Sequence, residues 1–172
     1  RRILALYRDD MMKFGERDAR KAIALFDAIP GQLSANSKKF SFGSLGNYAR
    51  KEFYEGALTW LEDSKIVNLC RRCNDPNIGL KLTEDESSLK LYMADTGLLV
   101  SHAFSDHDSS IEIQRALQFG KISVNKGMIV ENMVAQQLKA SGNSLFFCDW
   151  KEPPMSNEAK KDRKREIDFL IA

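Results

Sequence analysis

The fold is decided within residues 50–70, which read RKEFYEGALTWLEDSKIVNLC and pass from one hydrophobic pattern to another. The first part places four apolar side chains at helical spacing, namely Tyr54, Ala57, Leu58 and Leu61. The last five residues, IVNLC, form a short and mainly apolar run that is typical of a buried strand. The stretch therefore predicts a helix that leads directly into a strand.

The sequence before this stretch predicts two further helices. Residues 22–33 carry apolar side chains on one helical face, and Pro30-Gly31 predicts that this helix stops or kinks near Ile29. A polar stretch follows, after which residues 44–49 suit a short helix. Together with residues 50–63, the first part of the chain therefore predicts three helices in succession.

A hairpin is predicted after the strand. Residues 80–83 and 89–93 suit its two arms, with Glu84-Asp85-Glu86 at the tip. Three helices followed by a hairpin is the order of a winged helix-turn-helix, so we expect a winged-helix-like part over residues 1–100.

The second part of the chain, residues 101–172, predicts the start of an α/β unit. Its elements are helices near residues 97–103, 111–119 and 126–140, a strand at 145–150, a polar loop at 151–164 and a final strand. The expected fold class is α+β. Because the chain starts within a helical pattern and stops within a strand, we expect an excerpt from a longer protein with a truncated second unit.

Composition excludes several classes of protein. Of 172 residues, 43% are hydrophobic and 29% are charged, which rules out a disordered tail, a fibrous repeat and a disulfide-stapled mini-protein. No apolar run approaches the roughly 20 residues that a membrane-spanning helix needs. The net charge of +2 is too near balance to indicate nucleic acid by itself, and three cysteines suit a reducing cytoplasm.

The sequence indicates neither a phosphate-binding loop nor a zinc site. No G-x-x-x-x-G-K-[ST] loop occurs, so we expect the chain neither to bind nor to hydrolyse ATP. Cys70-x-x-Cys73 invites a zinc hypothesis with His102 or His107, but positions 70 and 73 of a strand point to opposite faces, and Cys148 adds no second pair. We therefore expect ordinary cysteines.

Six basic residues are candidates for contacts with DNA phosphates: Lys38, Lys39, Arg50, Lys51, Arg71 and Arg72. If four to six of them release counterions, log affinity should fall against log salt with a slope of about −4 to −5, and replacing Lys38 and Lys39 with alanine should flatten it by about 2. The acidic residues of the predicted recognition helix and hairpin favour the alternative, a winged helix that packs and interacts without DNA.

Two acidic residues are candidates for a metal site. Glu131 lies at the edge of the apolar face of the helix over residues 126–140, where a buried carboxylate needs a partner. Asp168 lies between hydrophobic residues on the last strand, sharing a face with Glu166 and Leu170 rather than with Phe169. We expect the two carboxylates to face each other and to form half of an oxygen-ligand magnesium site, or else to be neutralised by salt bridges.

Three motifs in order carry a resemblance to a known family. They are KLYMADTGLL over residues 90–99, G-x-x-x-E-x-x-V-x-x-Q-L over 127–138 and EIDFLI over 166–171. They resemble the carboxy-terminal domain of unknown function that follows the ATPase core of prokaryotic AAA-type ATP-binding proteins. Residues 54–63 are similar to the winged-helix stretch of that family.

The resemblance implies a winged-helix part followed by a fold similar to restriction endonucleases. Glu131 and Asp168 match the first two positions of that nuclease-like pattern, and its Glu-x-Lys strand is expected beyond residue 172. The resemblance also implies an upstream ATPase domain of the same chain that binds ATP, and Mg²⁺ in the intact protein.

These expectations leave three functions open for a cytoplasmic chain that is itself inactive. The first is an accessory module that couples the ATPase to DNA or protein partners. The second is part of a metal-dependent nuclease, and the third is a weak, non-specific DNA-binding domain.

Overall fold

A computed structural model describes residues 2–13, 16–104, 126–153 and 163–172. The helices are α1 (Arg2–Met12), α2 (Glu16–Ser34), α3 (Glu55–Asp63), α4 (Thr96–Ala103) and α5 (Lys126–Ala140). The strands are β1 (Val67–Cys73), β2 (Glu84–Met93), β3 (Leu145–Glu152) and β4 (Arg163–Ile171). The predicted α+β class is confirmed, whereas the helix predicted at residues 111–119 lies outside the described residues.

The four strands form one mixed sheet in the order β2-β1-β3-β4. β1 pairs with β2 and β3 pairs with β4 in antiparallel fashion, while β1 and β3 are parallel. The predicted boundary at residue 100 therefore falls between the second and third strands of a continuous sheet.

One hydrophobic core joins the helices to this sheet. Phe26 of α2, Leu61 of α3, Tyr92 of β2 and Phe147 of β3 are buried members of the same cluster. Ala135 brings α5 into this core, so helices from both halves of the chain pack on the strands. Within the described residues, no helix combines the length and apolar character needed to cross a membrane.

Of the two alternatives predicted near Ile29, a stop or a kink, the stop is wrong, because α2 continues through Pro30 to Ser34. Ile29 and Leu33 are both buried in the core. Continuing the helix by one turn keeps Leu33 on the same face as Ile29. The burial of Leu33 offsets the cost of the backbone hydrogen bond that Pro30 cannot donate.

The helices predicted on either side of residue 50 are shorter than expected. A 3-10 turn at Phe42–Leu45 replaces the helix predicted at residues 44–49, and a second turn at Lys51–Phe53 precedes α3, which begins at Glu55. The other predicted helices in the described part, α4 and α5, are confirmed.

The predicted acidic hairpin tip is also wrong. Glu84 and Asp85 begin β2, where they pair with Cys73 and Arg72. The tip is the segment 74–83, in which the Asp75 carboxylate accepts a hydrogen bond from the backbone N–H of Asn77 at 2.9 Å. Such an Asx turn reverses the chain near Asp75, before the acidic residues at which the sequence predicted the tip.

Candidate functional site

A buried lysine lies where β2, β4 and α5 meet. The Lys90 side chain is 1% exposed, and its Nζ lies 2.5 Å from Glu166 Oε1, 2.9 Å from Asp168 Oδ1 and 3.5 Å from Glu131 Oε1. We call Lys90, Glu131, Glu166 and Asp168 the Lys90 cluster. It brings together the two predicted acidic site residues, Glu131 and Asp168, on a single ammonium nitrogen.

Glu131 receives two further hydrogen bonds in addition to its contact with Lys90. The Tyr92 hydroxyl donates to Oε1 at 2.5 Å, and the Lys38 ammonium donates to Oε2. The Glu131 side chain is only 9% exposed, and a carboxylate buried to that degree is costly unless donors surround it. The residues around Glu131 therefore provide partners for both of its carboxylate oxygens.

A β-bulge at Asp168 and Phe169 of β4 brings the Phe169 ring beside Tyr92. Phe146 pairs with Leu170 and Cys148 with Ile167, so two residues of β4 lie opposite Phe147. Asp168 contacts Lys90, and the Phe169 ring lies 5.4 Å from the ring of Tyr92. The predicted placement of Asp168 and Phe169 on opposite faces is wrong, because the bulge interrupts the alternation of side chains along the strand.

The arrangement of the cluster does not fit Mg²⁺. The ammonium of Lys90 lies between the carboxylates of Glu131 and Asp168, in the space that a shared divalent cation would need. In the described part of the chain, no group of three or more His, Cys, Asp or Glu side chains is arranged to hold a metal ion. The lysine therefore supplies the positive charge at this point.

The cluster should make the folded state sensitive to alkali. Burial lowers the pKa of Lys90, but its hydrogen bonds to Glu166 and Asp168 outweigh this and raise it above 10.5. Burial and the hydrogen bond to Glu131 raise the pKa of Tyr92 above 10.0. Both groups therefore hold their protons more tightly when folded, and their stabilisation is present below about pH 10 and lost as the pH rises further.

We expect Tyr92→Phe to reduce this loss. Above pH 10, the free energy of unfolding of the wild type, measured by urea titration, should fall with rising pH, and the fall should be shallower in Tyr92→Phe by up to about 1.4 kcal/mol per pH unit. Tyr48→Phe is the matched control, since Tyr48 is 90% exposed. Equal alkaline slopes for the wild type and Tyr92→Phe would contradict the prediction.

A second charged group lies next to the cluster. Asp149 of β3 is 2.6 Å from both Lys39 Nζ and Arg72 Nε, and Arg72 also contacts Asp85 at 2.7 Å. Burial raises the pKa of Asp149, but the hydrogen bonds from Lys39 and Arg72 outweigh it and hold the pKa below its usual value. The backbone N–H of Phe40 donates to the carbonyl of Leu89 at 2.8 Å, which holds the preceding lysines beside the sheet.

Five of the six residues predicted to contact DNA have partners within the chain. Lys38, Lys39 and Arg72 contact Glu131 and Asp149, as described above. Arg71 lies 2.8 Å from Glu62 and 3.2 Å from Glu84, the Lys51 ammonium donates to the backbone oxygen of Glu86, and Arg50 is exposed. These residues therefore do not form a continuous basic surface.

The cysteines and the described histidine do not form a ligand site. Cys70 and Cys73 belong to different buried clusters, as expected for opposite faces of β1. All three cysteines are free, and His102 Nε2 lies 3.0 Å from Asp27. His107 lies outside the described residues.

Sequence reasoning did not identify Lys90, Tyr92 or Asp149 as members of these groups. A lysine in the alternating run LKLYM is typical of the exposed face of a strand, so the run gives no sign of burial. The one sign in the sequence was that a buried Glu131 needs a partner. This sign did not identify which cation the partner would be.

One family model, described as Domain of unknown function (DUF8612), matches residues 1–109. No curated protein and no solved structure matches the chain.

Proposed function

The chain belongs to the family described as Domain of unknown function (DUF8612), and we propose that it is a non-catalytic accessory module of a prokaryotic AAA-type ATPase. In this role it links the ATPase to partner molecules and performs no chemistry itself. The motifs at residues 90–99, 127–138 and 166–171 support the link to the ATPase.

The Lys90 cluster is the observation that carries the non-catalytic role. A nuclease-like site needs carboxylates that are free to share a metal ion. Here Glu131 accepts hydrogen bonds from Tyr92 and Lys38, and Lys90 contacts Asp168 and Glu166. The same contacts tie three structural elements together, which is a structural role.

The charged residues favour a protein partner over DNA. Lys38, Lys39, Arg71 and Arg72 neutralise carboxylates of the chain itself and are therefore not available for phosphates. The three free thiols support a location in a reducing compartment, the cytoplasm.

The non-catalytic role is tested by a cleavage assay with plasmid and linear DNA in Mg²⁺ or Mn²⁺. We expect no cleavage by the wild type above the level seen with Glu131→Gln. Cleavage that depends on the metal and is lost in Glu131→Gln and in Asp168→Asn would favour the nuclease alternative and overturn the proposal.

The link to an ATPase is tested on the gene product. The reading frame that encodes the chain, or an adjacent one, should encode a P-loop ATPase. The protein that holds both parts should hydrolyse ATP, while the 172-residue chain shows no ATP binding in calorimetry. Neighbouring frames without a P-loop, or micromolar ATP affinity of the chain alone, would contradict this link.

DNA binding should be weak and only slightly dependent on salt. Since most of the predicted cations are paired within the chain, we expect the slope of log affinity against log salt to be shallower than about −2. The measurement is fluorescence anisotropy of a labelled duplex between 25 and 200 mM salt. A slope near −4 would show that these cations exchange their carboxylates for phosphates, and would favour the DNA-binding alternative.

A further inference from the structure

Two of the three cysteines lie side by side on neighbouring strands of the sheet. The parallel ladder pairs Arg72 of β1 with Phe147 of β3. The next position along both strands therefore places Cys73 opposite Cys148, and residues at one level of a parallel pair point to the same face. Both cysteines belong to one buried cluster with Phe146, so their thiols are neighbours.

The spacing of the two strands suits a disulfide. Neighbouring strands lie about 4.8 Å apart, and the Cα atoms of a disulfide lie about 4.4–6.8 Å apart. Cys73 and Cys148 can therefore be bridged without moving the strands, but near the short end of that range. A bridge with such geometry is strained, and strained disulfides are readily reduced again. The pair is therefore suited to reversible oxidation.

The third cysteine is excluded from this pair. Cys70 belongs to the main core on the other face of β1, and its thiol lies 4.0 Å from the carbonyl oxygen of Asp168. Burial raises the pKa of Cys70 to about 12. Cys70 is therefore an internal control for the chemistry of the other two thiols.

The cover over the pair comes from the tip of the hairpin, segment 74–83. Leu80 of this tip and Leu170 of β4 are partly buried and pack against the cysteine cluster. The neighbours of Leu80 do not anchor the tip in the core, since Ile78 and Leu82 are 63% and 82% exposed. A movement of the tip would therefore uncover the thiols without opening the main core.

We propose that Cys73 and Cys148 form a reversible disulfide when a hydroperoxide reaches them. Cys148 reacts first, because it keeps 4% of its surface exposed while Cys73 keeps none. The disulfide joins the part of the chain before residue 100 to the part after it. This inference goes beyond the accessory role and does not depend on it.

The reaction takes two steps, with hydrogen peroxide as the oxidant. The Cys148 thiolate attacks one peroxide oxygen, so that an S–O bond forms, the O–O bond breaks and hydroxide leaves with the proton of that thiol as water. The Cys73 sulfur then attacks the sulfenic acid, so that an S–S bond forms, the S–O bond breaks and a second hydroxide leaves with the Cys73 proton as water. Each sulfur loses one electron and the peroxide gains two.

The environment of Cys73 suits it to the second step. Burial raises the pKa of Cys73, and the neighbouring Cys148 raises it further. Cys73 therefore keeps its proton until the sulfenic acid has formed beside it. Two thiols and one peroxide together give one disulfide and two water molecules.

The test treats the whole 172-residue chain with excess hydrogen peroxide and then alkylates the free thiols in urea for mass spectrometry. We expect the wild type to lose two hydrogen atoms, to alkylate at Cys70 alone and to yield one pair of peptides joined through Cys73 and Cys148. Dithiothreitol should restore all three thiols. Three free thiols after peroxide, a bond that includes Cys70 or a bond between two chains would overturn the proposal.

Oxidation of the chain in urea shows whether the fold selects the pair. In the unfolded chain Cys70 and Cys73 are the closest cysteines along the sequence, so the bond between them should dominate. The same Cys73–Cys148 preference in urea would also overturn the proposal, because it would owe nothing to the sheet.

Variants assign the two steps. Cys73→Ala should stop at the sulfenic acid, which dimedone traps on Cys148, whereas Cys148→Ala should give neither the disulfide nor a dimedone adduct. Cys70→Ala is the matched control and should form the disulfide within about twofold of the wild-type rate. Circular dichroism establishes that the variants fold. A dimedone adduct on Cys73 in Cys148→Ala would overturn the order of the steps.

The role of the hairpin tip is tested by the rate of the reaction. Leu80→Ala removes most of the cover and should speed disulfide formation by at least about threefold. Leu82→Ala, in the same tip but exposed, should leave the rate unchanged. Equal rates for the two variants would overturn the access route through the tip.

Discussion

Replacing Lys90 with methionine is expected to lower the free energy of unfolding by about 3 kcal/mol, which is at the lower end of the range for breaking a buried ion pair. Glu131 would lose one ion-pair partner in a buried position, although Lys38 and Tyr92 would still contact it. Glu166 and Asp168 are 37% and 58% exposed, so water would partly replace the lost ammonium.

The measurement is urea unfolding at pH 7, with Lys139→Met as the control. Among the described residues, Lys139 is paired with Glu62 alone, through a partly exposed contact at 3.5 Å, so its replacement should cost less than about 1 kcal/mol. The double variant Lys90→Met with Glu131→Gln should lose less than the two single variants together, because the two residues share one set of contacts. A neutral or stabilising Lys90→Met would contradict the structural role of the cluster.

Replacing Asn132 with alanine should have an effect of similar size, about 2–4 kcal/mol. Asn132 is fully buried on α5, its Oδ1 accepts from the backbone N–H of Met93 at 2.8 Å, and its Nδ2 donates to the carbonyl of Met93 at 3.1 Å and to Thr96 Oγ1 at 3.0 Å. Alanine would leave a buried N–H and a buried carbonyl without partners, each at a cost of about 1–3 kcal/mol.

Asn132→Asp should be at least as destabilising, because it keeps the size of the side chain but replaces the donor with an anion that faces the Met93 carbonyl. Gln137→Ala, on the exposed side of the same helix, should change stability by less than about 0.5 kcal/mol. If Asn132→Ala and Gln137→Ala had equal urea midpoints, the contact between α5 and the end of β2 would contribute nothing to stability.

Local patterns in the sequence predicted most of the helices and strands but not their exact ends. Residues 126–140 have a helical pattern closed by Ser141-Gly142, and α5 has these bounds. The α2 and hairpin predictions failed for different reasons. The apolar spacing of residues 22–33 includes Leu33, whose burial accompanies the continuation of α2, but Pro30-Gly31 indicated an earlier end. The Asx turn at Asp75 decides where the hairpin reverses, and the charge of the acidic residues does not report it.

The candidate site was predictable only in part, because its contacts join distant parts of the chain. The sequence predicted that Glu131 and Asp168 would lie close together, and both contact Lys90. The bulge that turns Phe169 to the same face as Asp168 depends on the register with β3, which no local pattern reports. Lys38 and Lys39 were predicted to be available for phosphates, but their partners are more than 90 residues away.

The parallel pairing of β1 with β3 has a consequence for the rate of folding. The β1–β2 hairpin closes through a short local loop. The pairing of Cys70 with Leu145, in contrast, requires the closure of a loop formed by the long segment between them. Such non-local pairing slows folding, since the entropy of closure is lost before the contact forms. Until β3 arrives, the backbone of β1 at Cys70–Arg72 is an unpaired strand edge, and such an edge makes a folding chain more prone to aggregate.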